Sequence, residues 1–167
     1  DPAYDQPPPL PSYPPVSVFV PCHNEAANLH ETVAALRALN YPEFEILLID
    51  DGSTDTTPAL IDRYAREDSR IRAIHLAANQ GKAVGLNTAA ALARYDYFLC
   101  IDGDSIVDPH CLRWMMRQLL SSPRVGAVSG NPRIRTRSTL LGRIQVGEFS
   151  SIIGLIKRAQ RTYGKAF

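Results

Sequence analysis

Asp102 and Asp104 stand one residue apart across Gly103, directly after the apolar run Phe98-Leu99-Cys100-Ile101. Carboxylates at this spacing on a loop suit magnesium or manganese, hard cations that take oxygen ligands and leave positions open for phosphate oxygens and water. The glycine lets the backbone turn and a ligand come close. Taken alone, the tripeptide describes a turn with two solvated aspartates equally well, and its place at the end of a buried run is what favours the metal. A second acidic stretch, Asp50-Asp51-Gly52-Ser53-Thr54-Asp55, also follows an apolar run. Part of it is turn chemistry, with Asp55 or Thr56 capping the next helix. One cap leaves Asp50 and Asp51 without a structural task, and a carboxylate such as Asp51 could there accept hydrogen bonds from a ribose or a base edge. Asn79-Gln80-Gly81-Lys82 opens a helix, and Lys82 could meet a phosphate or pair with the acidic edge. It is not a phosphate-cradling P-loop, because Ala83 follows the lysine and no glycine stands five residues before Gly81. His23, His30, His75 and His110 lack metal-ligand spacing and read as surface or internally satisfied polar groups.

The elements that must position these groups alternate. Runs of strand length lie at Val16 to Val20, Glu45 to Ile49, Ile71 to Leu76, Tyr95 to Ile101 and Val125 to Ser129. Helix-like stretches separate the first four and follow the fourth, at Glu25 to Leu39, Thr57 to Glu67, Lys82 to Arg94 and Pro109 to Leu120. Such alternation predicts an α/β fold with a mostly parallel sheet covered on both faces. Right-handed crossovers put every strand's C-terminus on one edge, where ligands of these sheets bind. Five or six carboxylates would collect there, and so many like charges call for a divalent cation or a basic partner.

Seven of the 13 prolines fall within residues 1–15, which predicts an extended linker outside the core, with the folded part running over residues 16–167. Sixteen of the 17 acids lie at or before Asp108 against seven of the 18 Lys and Arg, so a part of charge about −9 precedes a part of about +10. The basic part suits phosphates, an anionic membrane surface or simple solvation. From Phe149 onward, Ile152, Ile153, Ile156, Ala159 and Tyr163 follow helical spacing among basic residues, as expected of a helix packed on its own domain or lying at a membrane interface. No apolar run approaches the roughly 18 residues of a membrane span, which predicts a soluble piece. Cys22, Cys100 and Cys111 match no zinc or disulfide spacing and read as reduced, buried thiols in a cytosolic setting. Nucleic-acid binding is not expected, since the bases do not alternate with aromatics on a recognisable module.

Four motifs in order, Val18-Phe-Val-Pro-Cys-His-Asn-Glu25, Leu48-Ile-Asp-Asp-Gly-Ser-Thr-Asp55, Asn79-Gln-Gly-Lys82 through Asn87, and Ile101-Asp-Gly-Asp104, resemble those of the family 2 inverting glycosyltransferases with the Rossmann-like GT-A fold. Gly130 to Arg135 and Ser138 to Gln160 resemble the bacterial synthases of poly-β-1,6-N-acetylglucosamine, a biofilm polymer, with cellulose, hyaluronan and chitin synthases as more distant kin. The resemblance implies a UDP-sugar donor, UDP-N-acetylglucosamine first, a growing polysaccharide as acceptor, and Mg²⁺ or Mn²⁺. It implies that Asp51 contacts the uracil, that Asp102 lies near ribose and metal, that Asp104 binds the metal, and that Pro21 and Glu25 line the nucleotide pocket with Lys82 beside it. It further implies a parent protein at the cytoplasmic face of the bacterial inner membrane, with membrane-spanning segments and an accessory subunit. Inversion needs a base to take the acceptor's proton. The family's Thr-Glu-Asp-type and Gln-x-x-Arg-Trp motifs are missing and Glu148 is the only acid after Asp108, so a donor-binding part, truncated ahead of a base that lies past Phe167, is expected. The rival readings are a nucleotide-binding or regulatory module without transfer and, more remotely, a phosphatase with an aspartyl nucleophile at Asp102. A calcium loop fails because Ile106 occupies a ligand position and no glycine follows it.

Overall fold

The computed structural model describes residues 7–130. Four parallel strands, β1 (Val16–Cys22), β2 (Phe44–Asp51), β3 (Ile71–Leu76) and β4 (Tyr97–Cys100), form one sheet in the order β3-β2-β1-β4. Helices α1 (Leu29–Arg37), α2 (Thr57–Glu67) and α3 (Lys82–Leu92) connect them, and α4 (Cys111–Leu119) follows β4. All eight residues of β2 are buried, as an inner strand covered on both faces requires.

The chain steps outward from β1 to β2 to β3 and then returns to lay β4 on the far side of β1. With right-handed crossovers, that reversal puts α3 on the opposite face from α1 and α2. The core divides accordingly. Val16, Val18, Val20, Ile46 and Leu48 pack with Leu29, Val33 and Leu36 of α1, Ile61 and Tyr64 of α2, and Leu112 and Met116 of α4. Phe19, Leu47 and Ile49, on the other side of the pleat, pack with Ala89 of α3. The reversal between β1 and β4 is a topological switch point, where the two connections diverge and leave a crevice at the strand ends.

At the opposite edge of the sheet, Glu45 is buried and ion-pairs with Arg72 at 2.9 Å. It also accepts hydrogen bonds from Ser17 Oγ at 2.8 Å and Arg94 N at 2.6 Å, which ties the entry to β4 to the two inner strands. Burial alone would raise its pKa, but these donors and the Arg72 charge outweigh burial and hold the carboxyl below its usual value.

Several expectations need correction. Residues Val125 to Ser129 form no strand; they are exposed or half-buried, and a turn from Val125 N to Ser122 O orders their start. A run this short becomes a strand only by finding a ladder partner, and no pairing involves it among the described residues. Leu10 belongs to the core cluster and Arg113 donates to Pro7 O at 3.1 Å, so proline-rich composition does not keep this segment out of the core. All three cysteines are free, but only Cys22 is buried; Cys100 is exposed because, among the described residues, β4 is an edge strand and α3 packs over β1 and β2. The basic sequence after Gly130, including Glu148 and the helical pattern from Phe149, lies outside the described residues. No helix among the described residues is long and apolar enough to cross a membrane.

Candidate functional site

The turn after β4 is built around Gly103. Ser105 N donates to Asp102 O at 3.0 Å, which closes a four-residue turn with Asp102 and Asp104 at its first and third positions. Gly103 is buried against the end of β1: a Cβ there would lie 3.1 Å from Glu25 Cγ, 3.2 Å from Cys22 Sγ and 3.3 Å from Pro21 O. Thr32 of α1 fixes the glycine from the other side, donating from Oγ1 to Gly103 O at 2.8 Å. The two aspartates therefore project into solvent from a turn clamped at its middle residue. Pro21 and Glu25 are brought to this place as backing for that turn, and Glu25 Oε2 accepts from Asn28 Nδ2 at 3.2 Å.

The acidic turn after β2 is consumed internally. Asp50 accepts from Ser53 N at 3.0 Å and lies 3.3 Å from His75 Nδ1, while His75 Nε2 lies 2.9 Å from Asp62. Asp55 accepts from Thr57 N at 2.9 Å, at the start of α2, and from Ala26 N at 3.2 Å. Its pKa is lowered by hydrogen bonds from the Thr57 side chain and backbone. Asp51 is 4% exposed, and each of its oxygens accepts a backbone N–H: Oδ1 from Gln80 N at 2.8 Å and Oδ2 from Gly81 N at 2.9 Å. The expectation that Asp50 and Asp51 lack a structural task is thus overturned. The reason is long-range, since the donors of Asp51 come from the loop after β3.

Two residues that carried little signal in the sequence complete this edge. His23 Nδ1 lies 2.9 Å from Asp51 O; a carbonyl only accepts, so Nδ1 carries the proton and Nε2 accepts from Asn79 Nδ2 at 3.2 Å and Asn24 Nδ2 at 3.3 Å. Asn24, at φ 56, accepts at Oδ1 from Thr54 N at 2.8 Å. A non-glycine residue with positive φ is uncommon, and Asn is among the few that tolerate it. That preference was the available cue.

Lys82, the first residue of α3, reaches across the edge and ion-pairs with Asp102. It is the basic partner for which the crowded carboxylates called. Asp50, Asp51 and Asp55 are engaged by backbone donors, whereas Asp102 and Asp104 are exposed on the turn after β4 with Lys82 beside Asp102. No group of three or more His, Cys, Asp or Glu capable of holding a metal occurs among the described residues. Two exposed carboxylates on one turn do not make a closed zinc cage. They do suit Mg²⁺ or Mn²⁺, which use one or two carboxylates and fill the remaining positions with phosphate oxygens and water. Cys22 adds no soft ligand or nucleophile: burial, and then the charges of Glu25 and Asp50, push its thiol up to about 12.

Comparison with known proteins bears on the family and the fold. The chain is 39% identical over 149 residues to a poly-beta-1,6-N-acetyl-D-glucosamine synthase of Staphylococcus epidermidis and 40% identical over 149 residues to one of Staphylococcus aureus. Each alignment covers 89% of this chain and 36% of the relative, so the chain spans about a third of the length of these proteins. Among solved structures, the mannosyltransferase PcManGT from Pyrobaculum calidifontis, in complex with GDP-Man and Mn²⁺, superposes with a TM-score of 0.69 at 31% identity, over 75% of this chain and 37% of that one. S. aureus TarS 1-349 in complex with UDP-GlcNAc superposes at 0.55 and 27% identity, over 62% of this chain and 30% of that one. The parallel sheet flanked by helices is thus that of GT-A glycosyltransferases. A sequence model of the family described as Glycosyl transferase family 2 matches residues 17–166, and the chain belongs to that family.

Proposed function

We propose that this chain is the donor-binding part of a glycosyltransferase that holds a UDP-sugar, with UDP-N-acetylglucosamine as the preferred donor, for inverting β-glycosyl transfer onto a growing polysaccharide of the poly-β-1,6-N-acetylglucosamine type. The observation that carries the reading is the clamped turn that presents Asp102 and Asp104 at the β1/β4 switch point with Lys82 across from them. The names of the Staphylococcus relatives support the polymer, and the UDP-GlcNAc bound to TarS supports the donor. The Mn²⁺ of the mannosyltransferase supports a divalent cation.

Asp104, with Asp102 beside it, would hold Mg²⁺ or Mn²⁺ against the diphosphate. When bound, such a cation stabilises the charge that develops on the departing UDP. Gly103, pinned between Thr32 and the end of β1, keeps both carboxylates oriented before the ligand arrives, so little reorganisation is needed. Lys82 supplies a positive charge on the far side of Asp102. Pro21 and Glu25 stand behind the turn, as residues lining a nucleotide pocket would. Abstraction of the acceptor's proton is assigned to residues of the longer protein. We place that protein at the cytoplasmic face of the bacterial inner membrane, with its membrane-spanning segments and an accessory subunit as partners.

Calorimetric titration of UDP into the 167-residue chain tests the donor site. Binding that requires Mg²⁺ or Mn²⁺ and disappears in Asp104→Ala supports it. Metal-independent binding, or binding by a well-folded Asp104→Ala variant equal to wild type, overturns it.

A further inference from the structure

We propose that Lys82 is the resident counter-ion of Asp102 in the empty donor site, and that by holding this carboxylate it makes cation binding conditional on the nucleotide. The proposal rests on the donor-binding reading above and deepens it.

The fold fixes both ends of the pair and leaves its side chains free. Lys82 leaves the backbone at the first residue of α3, where Gly81 O accepts from Val84 N at 3.1 Å and Gly85 N at 3.3 Å, and the helix behind it is seated on Phe19, Leu47 and Ile49 through Ala89. Asp102 leaves the backbone at the first position of the turn whose glycine is held by Thr32. The two side chains that meet are 57% and 58% exposed. An ion pair so open to water is weak and parts readily, and the lysine stem is long and flexible. The pair therefore opens without any movement of the sheet or the helices.

The pairing is also one-sided. Asp104 is exposed on the same turn, and among the described residues no ion pair reaches it. The empty site thus offers a bare divalent cation one free carboxylate and a second already held by an ammonium, whose charge repels the cation at close range. A unit charge beside a divalent ion in water corresponds to about tenfold in Kd. A nucleoside diphosphate changes the balance, because its phosphate oxygens add ligands for the cation and negative charge for the ammonium. Lys82 then gives up Asp102, and cation and nucleotide each tighten the other's binding.

Mn²⁺ retained by the protein, measured by equilibrium dialysis at fixed free Mn²⁺ concentrations with and without saturating UDP, tests the proposal. The proteins are the wild-type chain, Lys82→Met, Asp102→Asn and the Asp102→Asn/Lys82→Met double variant, with thermal melts checking the fold. Without UDP, Lys82→Met is expected to bind Mn²⁺ about tenfold more tightly than wild type. With UDP that advantage is expected to vanish or reverse, so that the factor by which UDP tightens Mn²⁺ binding is at least about tenfold smaller in the variant. On the Asp102→Asn background, where the lysine has no carboxylate to hold, removing it is expected to change Mn²⁺ affinity by less than about threefold. UDP-free Mn²⁺ binding to Lys82→Met no tighter than to wild type, undetectable binding included, overturns the proposal and leaves the donor reading standing where UDP still recruits Mn²⁺. An equal gain with and without UDP, or an equal gain on the Asp102→Asn background, overturns it as well. If no protein retains Mn²⁺ under either condition, the donor reading itself falls and this inference with it.

Discussion

Replacing Gly103 with alanine tests whether the turn is clamped as described. Gly103 is not among the glycines with positive φ, so the substitution is purely steric. The new Cβ would stand 3.1 Å from Glu25 Cγ, 3.2 Å from Cys22 Sγ and 3.3 Å from Pro21 O, each a few tenths of an ångström inside ordinary contact. The Glu25 side chain can swing away, but the sulfur and the carbonyl belong to the last residues of an inner strand. Overpacking of this kind costs about 1–3 kcal/mol. Stiffening the unfolded chain returns about 0.4–1 kcal/mol. The net expectation is a loss of about 1 kcal/mol, or roughly 3–4 °C in Tm for a chain of this size. Because the strain is relieved by moving the turn, metal-dependent UDP affinity should fall by about tenfold as well. Urea denaturation and calorimetric titration measure the two effects, with Gly126→Ala, where a Cβ meets nothing within 4 Å, as the control. A Gly103→Ala variant as stable as the control and with unchanged affinity would refute the clamp.

Other consequences concern the framework. Glu45→Ala removes a buried carboxylate and strands Ser17 Oγ, Arg94 N and the Arg72 guanidinium; Arg72 can still reach water, so the expected loss is about 3 kcal/mol in denaturant unfolding, and a loss below about 1 kcal/mol contradicts the assignment. For His75, burial alone lowers the pKa, but hydrogen bonds and charges of Asp62 and Asp50 outweigh it and leave the group raised above 6.5. Its contribution is therefore complete below 6.5 and is lost as pH rises through the higher folded value. Melting followed from about pH 6 to about pH 8.5 should show wild-type stability falling with a slope that His75→Gln lacks, and equal slopes would remove His75 as the cause.

What the sequence disclosed depended on how local each cause is. The bounds of α2 and β3 are legible to the residue, because Pro58 marks a first turn and Ile71 to Leu76 is a compact apolar run. The start of α1 is not: the periodicity suggests Glu25, but the N–H groups of Glu25 and Ala26 go to Thr57 Oγ1 and Asp55, and the helix begins at Leu29. β4 is shorter than its apolar run because Tyr95 N turns aside to Ser17 Oγ. In the candidate site, residue type and position after a strand or before a helix single out Asp102, Asp104 and Lys82, and the structure brings Lys82 to Asp102. They do not disclose the hydrogen bonds to Asp51, since its donors are backbone amides that any sequence possesses. Only the return of the β3 exit to the β2 exit makes them partners.

The proposed donor site depends on a divalent cation held by the turn after β4. The most direct measurement is a crystal structure of the chain with UDP and Mn²⁺, with manganese located by its anomalous scattering. The account predicts one manganese within about 2–2.5 Å of a carboxylate oxygen of Asp104, beside Asp102 and in contact with the diphosphate. A manganese bound elsewhere, or UDP seated at this edge with Asp102 and Asp104 turned away from it, would contradict the account.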